Sequence, residues 1–164
     1  MRGQKELYDI FEKLEIRFEY HEHPPLATIE DAKIHLKDYN SGRCKNIFFR
    51  NHKGDRHYLV ILEHLRQLDI RDLEKRLRQG KLTFASDKRL KQYLGVEPGS
   101  VSPFGLINDK EKHVYLFIDE KLNECDRLTF HPNVNTASLV ISKSDFLKFL
   151  RFTGNQFEFL RLYD

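Results

Sequence analysis

The sequence predicts an α/β fold: a single domain with a mixed β-sheet and helices packed outside it. Three observations predict this. Helical and strand-like patterns follow one another in the order helix, strand, helix, hairpin, two helices, several strands, helix, a mixture of local hairpins and crossovers. The strict strand–helix–strand alternation of a doubly wound nucleotide binder is missing. No repeat, low-complexity tract or linker divides the chain, and 164 residues suit one domain with a substantial core.

Each element has a local reason. Leu7, Ile10, Phe11 and Leu14 recur at helical spacing, which predicts an amphipathic helix over Gln4 to Glu15. Ile16, Phe18 and Tyr20 then alternate with charged residues, as in a half-buried strand, and His23-Pro24-Pro25 stops it. Thr28 with Asp31 resembles a capping box ahead of a short helix over Ile29 to Leu36. Lys45 to Phe49 and Tyr58 to Leu62 flank "RNHKGDRH", which predicts a hairpin with Gly54 at its tight position. Asp69 and Ser86 are N-caps for two helices, ended by Gly80 and Gly95, with a short strand at Leu82 to Ala85 between them. "VEPGSVSPFGLIN" reads as a structured loop running into a strand. "NDKEK" is expected to turn a hairpin into the strand Val114 to Ile118. Ala137 to Ile141 is a buried strand, Ser142 with Asp145 caps a helix that Gly154 ends, and Phe157 to Leu160 adds a final strand or short helix.

Composition narrows the class. Hydrophobic residues are 40% and charged residues 32%, ordinary for a globular protein, and thirteen Phe without Trp imply a core of phenyl rings. No apolar run reaches membrane-spanning length and Met1 to Lys5 opens no signal peptide. With only Cys44 and Cys125, a disulfide scaffold is not expected, and a reducing cytoplasm is the default compartment. A net charge of +3 is too mild for a general nucleic-acid coat. The segment from Arg66 to Lys91 is nonetheless locally basic, and reads either as a face for an RNA stem or as ordinary solvated helix surface.

Several familiar chemistries have no motif here: there is no Gly-rich phosphate loop, no GxSxG elbow, and no cysteine pair at zinc spacing. His21-Glu22-His23 reads as a solvated strand edge, because neighbouring strand residues point apart. His52, His57 and His64 read as surface residues around the hairpin. Lys45 opens the apolar run "NIFF" and can donate three hydrogen bonds to a phosphate or carbonyl, or can simply snorkel at a sheet edge. Cys44 beside it has no identifiable His/Asp partners and reads as a small buried cysteine. In "PGSVSPFGL", Gly99 and Gly105 permit close approach of a ligand to the backbone, or form a rigid turn. In "FHPNVNTASLVIS", His131, Asn135 and Thr136 place polar groups at the entrance of a core strand, either as a turn that happens to be polar or as the wall of a site.

The lysine–asparagine strand start, then "GSVSPFGL", then "FHPNVNTAS", in that order, resembles the YbaK/ProX family of tRNA-editing deacylases, and most closely its freestanding ProX branch. The likeness runs from "HPPLATIEDA" to "FLKFLRFTGN", nearly the whole chain. It implies one editing domain over 1–164 with a partly barrel-like sheet, acting in the cytoplasm without a cofactor or a metal. It implies hydrolysis of Ala-tRNA-Pro, with the acceptor end of tRNA-Pro as partner and prolyl-tRNA synthetase as a candidate second one. By motif, Lys45, His131 and Gly99 take the catalytic roles. Asn46, Ile47, Ser100, Ser102, Phe104, Gly105, Asn135, Thr136 and Ser138 line the substrate site. Relatives often carry His-Thr or His-Cys before the lysine, where this chain has Arg43-Cys44, a departure at the pocket entrance. Rival readings keep the fold but remove cysteine or another small amino acid, or hold tRNA or a synthetase without cleaving. A metal hydrolase is the weakest rival.

Overall fold

The computed structural model describes residues 1–25, 42–63 and 66–164. The expected helix over Ile29 to Leu36, and His64, lie outside them. Helix α1 (Lys5–Leu14) buries Leu7 and Phe11 and ends on Glu15 in the left-handed conformation. Strands β1 (Glu19–Glu22), β2 (Gly42–Asn51) and β3 (His57–Glu63) follow. Next come α2 (Ile70–Leu77), β4 (Leu82–Phe84) and α3 (Asp87–Leu94). The remainder is a 3-10 turn at Pro103–Asn108, β5 (Tyr115–Asp119), a second 3-10 turn at Glu120–Glu124, β6 (Arg127–Phe130), β7 (Ala137–Ser142), α4 (Lys143–Thr153) and β8 (Phe157–Leu160).

The caps work as the residue types dictate. Asp69, Ser86 and Ser142 each accept a hydrogen bond from the backbone N–H three residues on. Gly95 and Gly154 close α3 and α4 at φ 64 and φ 78. Helix α2 stops earlier than Gly80, because Arg78 itself takes the left-handed cap at φ 55.

The sheet is mixed. Its eight strands run β1-β7-β6-β2-β3-β5-β8, with β4 added on β2, so β1 and β8 are edges and the sheet is not closed into a barrel. β2 and β3 form the expected antiparallel hairpin. β5, however, lies parallel between β3 and β8, so "NDKEK" is not a hairpin turn. It leads out of the 3-10 turn that "PFGLIN" forms in place of a strand. The reason is non-local: Asp109 accepts from the N–H groups of His113 and Val114, and Asn155 bonds both Asp109 and the Val114 carbonyl, pinning this loop to the far end of α4.

Two cores lie on opposite faces. The larger holds Phe11, Phe48, Phe104, Phe130, Phe146 and Phe149 under α1, α3 and α4. Its rings meet edge-on, with Phe104 at 5.2 Å from both Phe11 and Phe149. The smaller holds Ile47, Phe49, Val60, Leu62 and Phe117 with Leu73 and Leu77 of α2. Along β2, alternate residues therefore serve different cores.

Candidate functional site

The site forms where β2 leaves its neighbour. β2 pairs in parallel with β6 only at Gly42–Leu128 and Arg43–Thr129. At its other end it pairs with β4 from Phe49 to Asn51, and the Ala85 N–H donates to the Phe48 carbonyl. Between those contacts, among the described residues, no strand covers this edge of Cys44 to Ile47. The β2–β6 register, run on by two residues, sets Lys45 level with His131. Paired residues project from one face, so both share the face of Thr129 with its partner Val140, and of Ser138.

Lys45 is exposed at this opening. Asn46 points to the other face, half-buried, and its Oδ1 is buried without a hydrogen-bond partner. A carboxamide oxygen so placed lacks a donor, which is unfavourable unless something supplies one. Ile47 is buried in the smaller core. Burial and the nearby Cys125 push the Cys44 thiol up, and both cysteines are free, so Cys44 has the character of a packed residue rather than a nucleophile.

The turn after β6 carries the imidazole. His131 Nδ1 donates to the Ala137 carbonyl at 3.0 Å, which leaves Nε2 as the acceptor. Burial holds His131 below the ordinary histidine value; the Ala137 bond opposes this and the neighbouring His23 adds to it. The ring is therefore neutral at pH 7. Asn135 reaches toward the glycine-rich loop: a Cβ on Gly99, which sits at φ +86, would lie 3.6 Å from Asn135 Nδ2. Thr136 gives its carbonyl to the His23 N–H at 3.0 Å and to the Arg2 guanidinium at 3.4 Å.

His23 is a correction to the sequence reading, as it is no solvated edge. It is 5% exposed, and its Nε2 lies 2.8 Å from Ser138 Oγ, itself 1% exposed. Because His23 Nδ1 donates to the Pro24 carbonyl at 2.9 Å, Nε2 is the acceptor and Ser138 the donor. The His23 and His131 rings stand 6.0 Å apart. Sequence reasoning missed His23 because histidine is seldom a core residue.

The other candidates divide. Ser100 is buried and its N–H donates to the Glu97 carbonyl. Ser102 caps the 3-10 turn by accepting from the Phe104 N–H at 3.1 Å. Phe104 is fully buried among phenyl rings, and Gly105 is small because a Cβ there would lie 2.8 Å from the Leu94 carbonyl oxygen. Core packing accounts for those two. Thus the structure gathers His131, Ser138, Asn135, Thr136 and Gly99 around one turn, places Lys45 level with His131 when the β2–β6 register is run on, and holds Phe104, Gly105 and Ile47 in the interior. Among the described residues, no three His, Cys, Asp or Glu side chains gather as a metal ion would require, and no helix is long and apolar enough to cross a membrane.

The fold is thus a mixed-sheet α/β domain with an uncovered stretch of strand edge on β2. The chain belongs to the aminoacyl-tRNA editing domain family, whose model matches residues 23–149. It is 36% identical over 152 residues to the Prolyl-tRNA editing protein ProX of Acetoanaerobium sticklandii, covering 92% of each chain. It is also 34% identical to the Prolyl-tRNA synthetase associated domain-containing protein 1 of Mus musculus, over 87% of this chain and 86% of the mouse protein. Two solved structures share the fold. One is a hypothetical protein (TM-score 0.72, 16% identity, 95% of this chain and 99% of that one). The other is a candidate trans-editing enzyme for prolyl tRNA synthetase (TM-score 0.67, 20% identity, 97% and 98%).

Proposed function

We propose that residues 1–164, as one domain, hydrolyse the ester that joins a misplaced alanine to the terminal adenosine of tRNA-Pro, acting in trans to prolyl-tRNA synthetase in the cytoplasm. The observation that carries this reading is the shared face of Lys45 and His131 at the β2–β6 opening, in a chain whose family edits aminoacyl-tRNA. The name of its bacterial relative supports tRNA-Pro as the substrate.

An aminoacyl ester is already activated, so the protein has to hold it, place a water and stabilise the oxyanion. The neutral His131 presents Nε2 as an acceptor, which can orient the attacking water and take its proton. Lys45 is the positive donor for the developing oxyanion or the adjacent phosphate. Attack forms the new C–O bond. The bond to the ribose oxygen then breaks, that oxygen takes the proton, and alanine and intact tRNA leave. No cofactor enters the balance.

Alanine is the favoured substrate on size. A synthetase pocket made for proline excludes a smaller side chain by only ~1–3 kcal/mol per missing methylene, so a second, smaller site is needed. His131 sits in a turn bounded by the buried Pro132 and Ala137, which favours a small side chain beside it. The test is a panel of Ala-, Cys- and Pro-tRNA-Pro with wild type and Lys45→Ala. Rapid release of alanine alone, lost in Lys45→Ala, is the expected result. Equal turnover of Cys-tRNA-Pro would move the specificity, and an unimpaired Lys45→Ala would remove Lys45 from the mechanism. A tRNA ending in deoxyadenosine tests the water: an undiminished rate eliminates the vicinal hydroxyl as its activator.

A further inference from the structure

A second constellation lies away from Lys45, at the hairpin end of the sheet. Strand register sets Phe84 of β4 opposite Phe49 of β2, Phe49 opposite Tyr58 of β3, and Tyr58 opposite Tyr115 of β5. Cross-strand partners project from one face, so four aromatic rings cross four adjacent strands in one row. The inner Phe49 is fully buried, whereas the row surfaces at both ends: Phe84 is 55% exposed and Tyr115 half-buried. Phe117 packs against the second end, 4.8 Å from Tyr115 and 5.8 Å from Tyr58.

Two adjoining cavities, of about 560 and 350 Å³, open over Tyr58 and share Asp55, Arg56 and Gln79 as walls. Both are of ligand size. The larger adds Tyr115, Phe117, Gln156 and His113; the smaller runs on to Lys53 and Lys81. Asp55 is the one carboxylate among these linings, and it is tied to Asn51 Nδ2 at 2.7 Å.

His113 is held in place from behind. The Arg89 guanidinium can only donate, so His57 Nε2, at 2.9 Å, accepts from it. His57 must then carry its proton on Nδ1 and give it to His113 Nε2, also at 2.9 Å, which leaves His113 protonated on Nδ1. Tyr93 stacks on His113 at 4.7 Å and 17°. The chain Arg89–His57–His113 thus fixes one donor at the cavity wall. The hairpin histidines were read from sequence as surface groups; His57 is instead 1% exposed because this chain and Phe48 enclose it.

The half-exposed Tyr115 ring, planar amides and cations in one groove match unpaired nucleotides: the ring stacks a base, amides meet base edges, and Arg or Lys neutralises phosphate. We propose that this groove between the β2–β3 hairpin and the end of α2 binds a single-stranded RNA segment. The identity of that RNA as part of the tRNA rests on the editing reading. Phe49, whose cross-strand partner Tyr58 floors the groove, lies four residues along β2 from Lys45, about 13 Å at 3.3 Å per residue.

The test measures binding of a fluorescein-labelled ten-nucleotide single-stranded RNA, and of uncharged tRNA, across a salt series. Wild type is compared with Arg56→Ala/Lys81→Ala and with Tyr115→Ser, each checked for folding by circular dichroism. The double variant is expected to weaken RNA binding at least about tenfold and to flatten the salt dependence by about 1.4 in log–log slope. Tyr115→Ser is expected to lose about 5- to 100-fold with the slope kept. Hydrolysis of alanyl-adenosine, which is too short to reach the groove, should not change in either variant. Wild-type binding that these folded variants leave intact, or no RNA binding by wild type, overturns the proposal. If RNA binding follows the groove while no mischarged tRNA is hydrolysed, the editing reading fails and this one stands.

Discussion

Acid should destabilise this protein through His57 before its carboxylates protonate. Burial, then His113 and the cations Arg89 and Arg50, lower the His57 pKa from 6.5 to about 4. The folded state therefore binds fewer protons than the unfolded chain between those values, so stability rises with pH there. The contribution is fully present above pH 6.5 and is lost as pH falls toward 4. At 1.36 kcal/mol per pH unit the whole span is worth about 3 kcal/mol, and the steep part lies below pH 6. Urea unfolding of wild type and His57→Gln at pH 7.5, 6.0, 5.0 and 4.5 reads it directly. Glutamine lowers the absolute stability but cannot titrate. The wild-type curve should therefore fall about 1–2 kcal/mol further than the variant's between pH 6.0 and 4.5. Parallel curves would refute a buried, neutral His57 and the donor chain built on it.

Two further outcomes follow from the packing. Ser138→Ala removes the donor to His23 Nε2 in a buried place, so unfolding should cost about 1–3 kcal/mol less than in wild type; a chemical-denaturation series checks this, and an unchanged midpoint would mean the pair is not formed. Gly105→Ala sets a methyl against the Leu94 carbonyl, and the 3-10 turn must move off α3 at a cost of about 1–3 kcal/mol. Its thermal midpoint should fall, while Gly80→Ala, with open space around it, is limited to the backbone penalty of φ +80.

What the sequence disclosed was local. The caps Asp69, Ser86 and Ser142 and the glycines after α3 and α4 act within a few residues, and each is where its residue type predicts. The β2–β3 hairpin turns at Gly54 with φ 73, again a short-range signal. The misread features depend on distant partners. His23 is buried because β7 brings Ser138 to it across 115 residues, and His57 because Arg89 and His113 close over it. β5 looked like a hairpin arm because "NDKEK" is rich in turn formers, but its ladder partners come from β3 and β8. The site shows the same division. "FHPNVNTAS" was visible as a polar entry to a core strand, whereas the parallel register of β2 on β6, which sets Lys45 level with His131, is encoded in no local pattern.

The strand order also explains why the opening does not undo the fold. A bare stretch of strand edge invites another strand to add to it, and proteins commonly guard such edges with lysine. β2 is guarded by β6 at its start and by β4 at its end, and the stretch between has an exposed ammonium group at Lys45. Isolating that charge from water would be costly for a pairing strand but not for a small anionic or carbonyl-bearing ligand, which can accept its hydrogen bonds. The same charge therefore guards the bare edge against a further strand. Across the gap β2 is held on its other edge by β3, from Cys44–Glu63 to Arg50–His57, and by Ile47 and Phe49 in the smaller core.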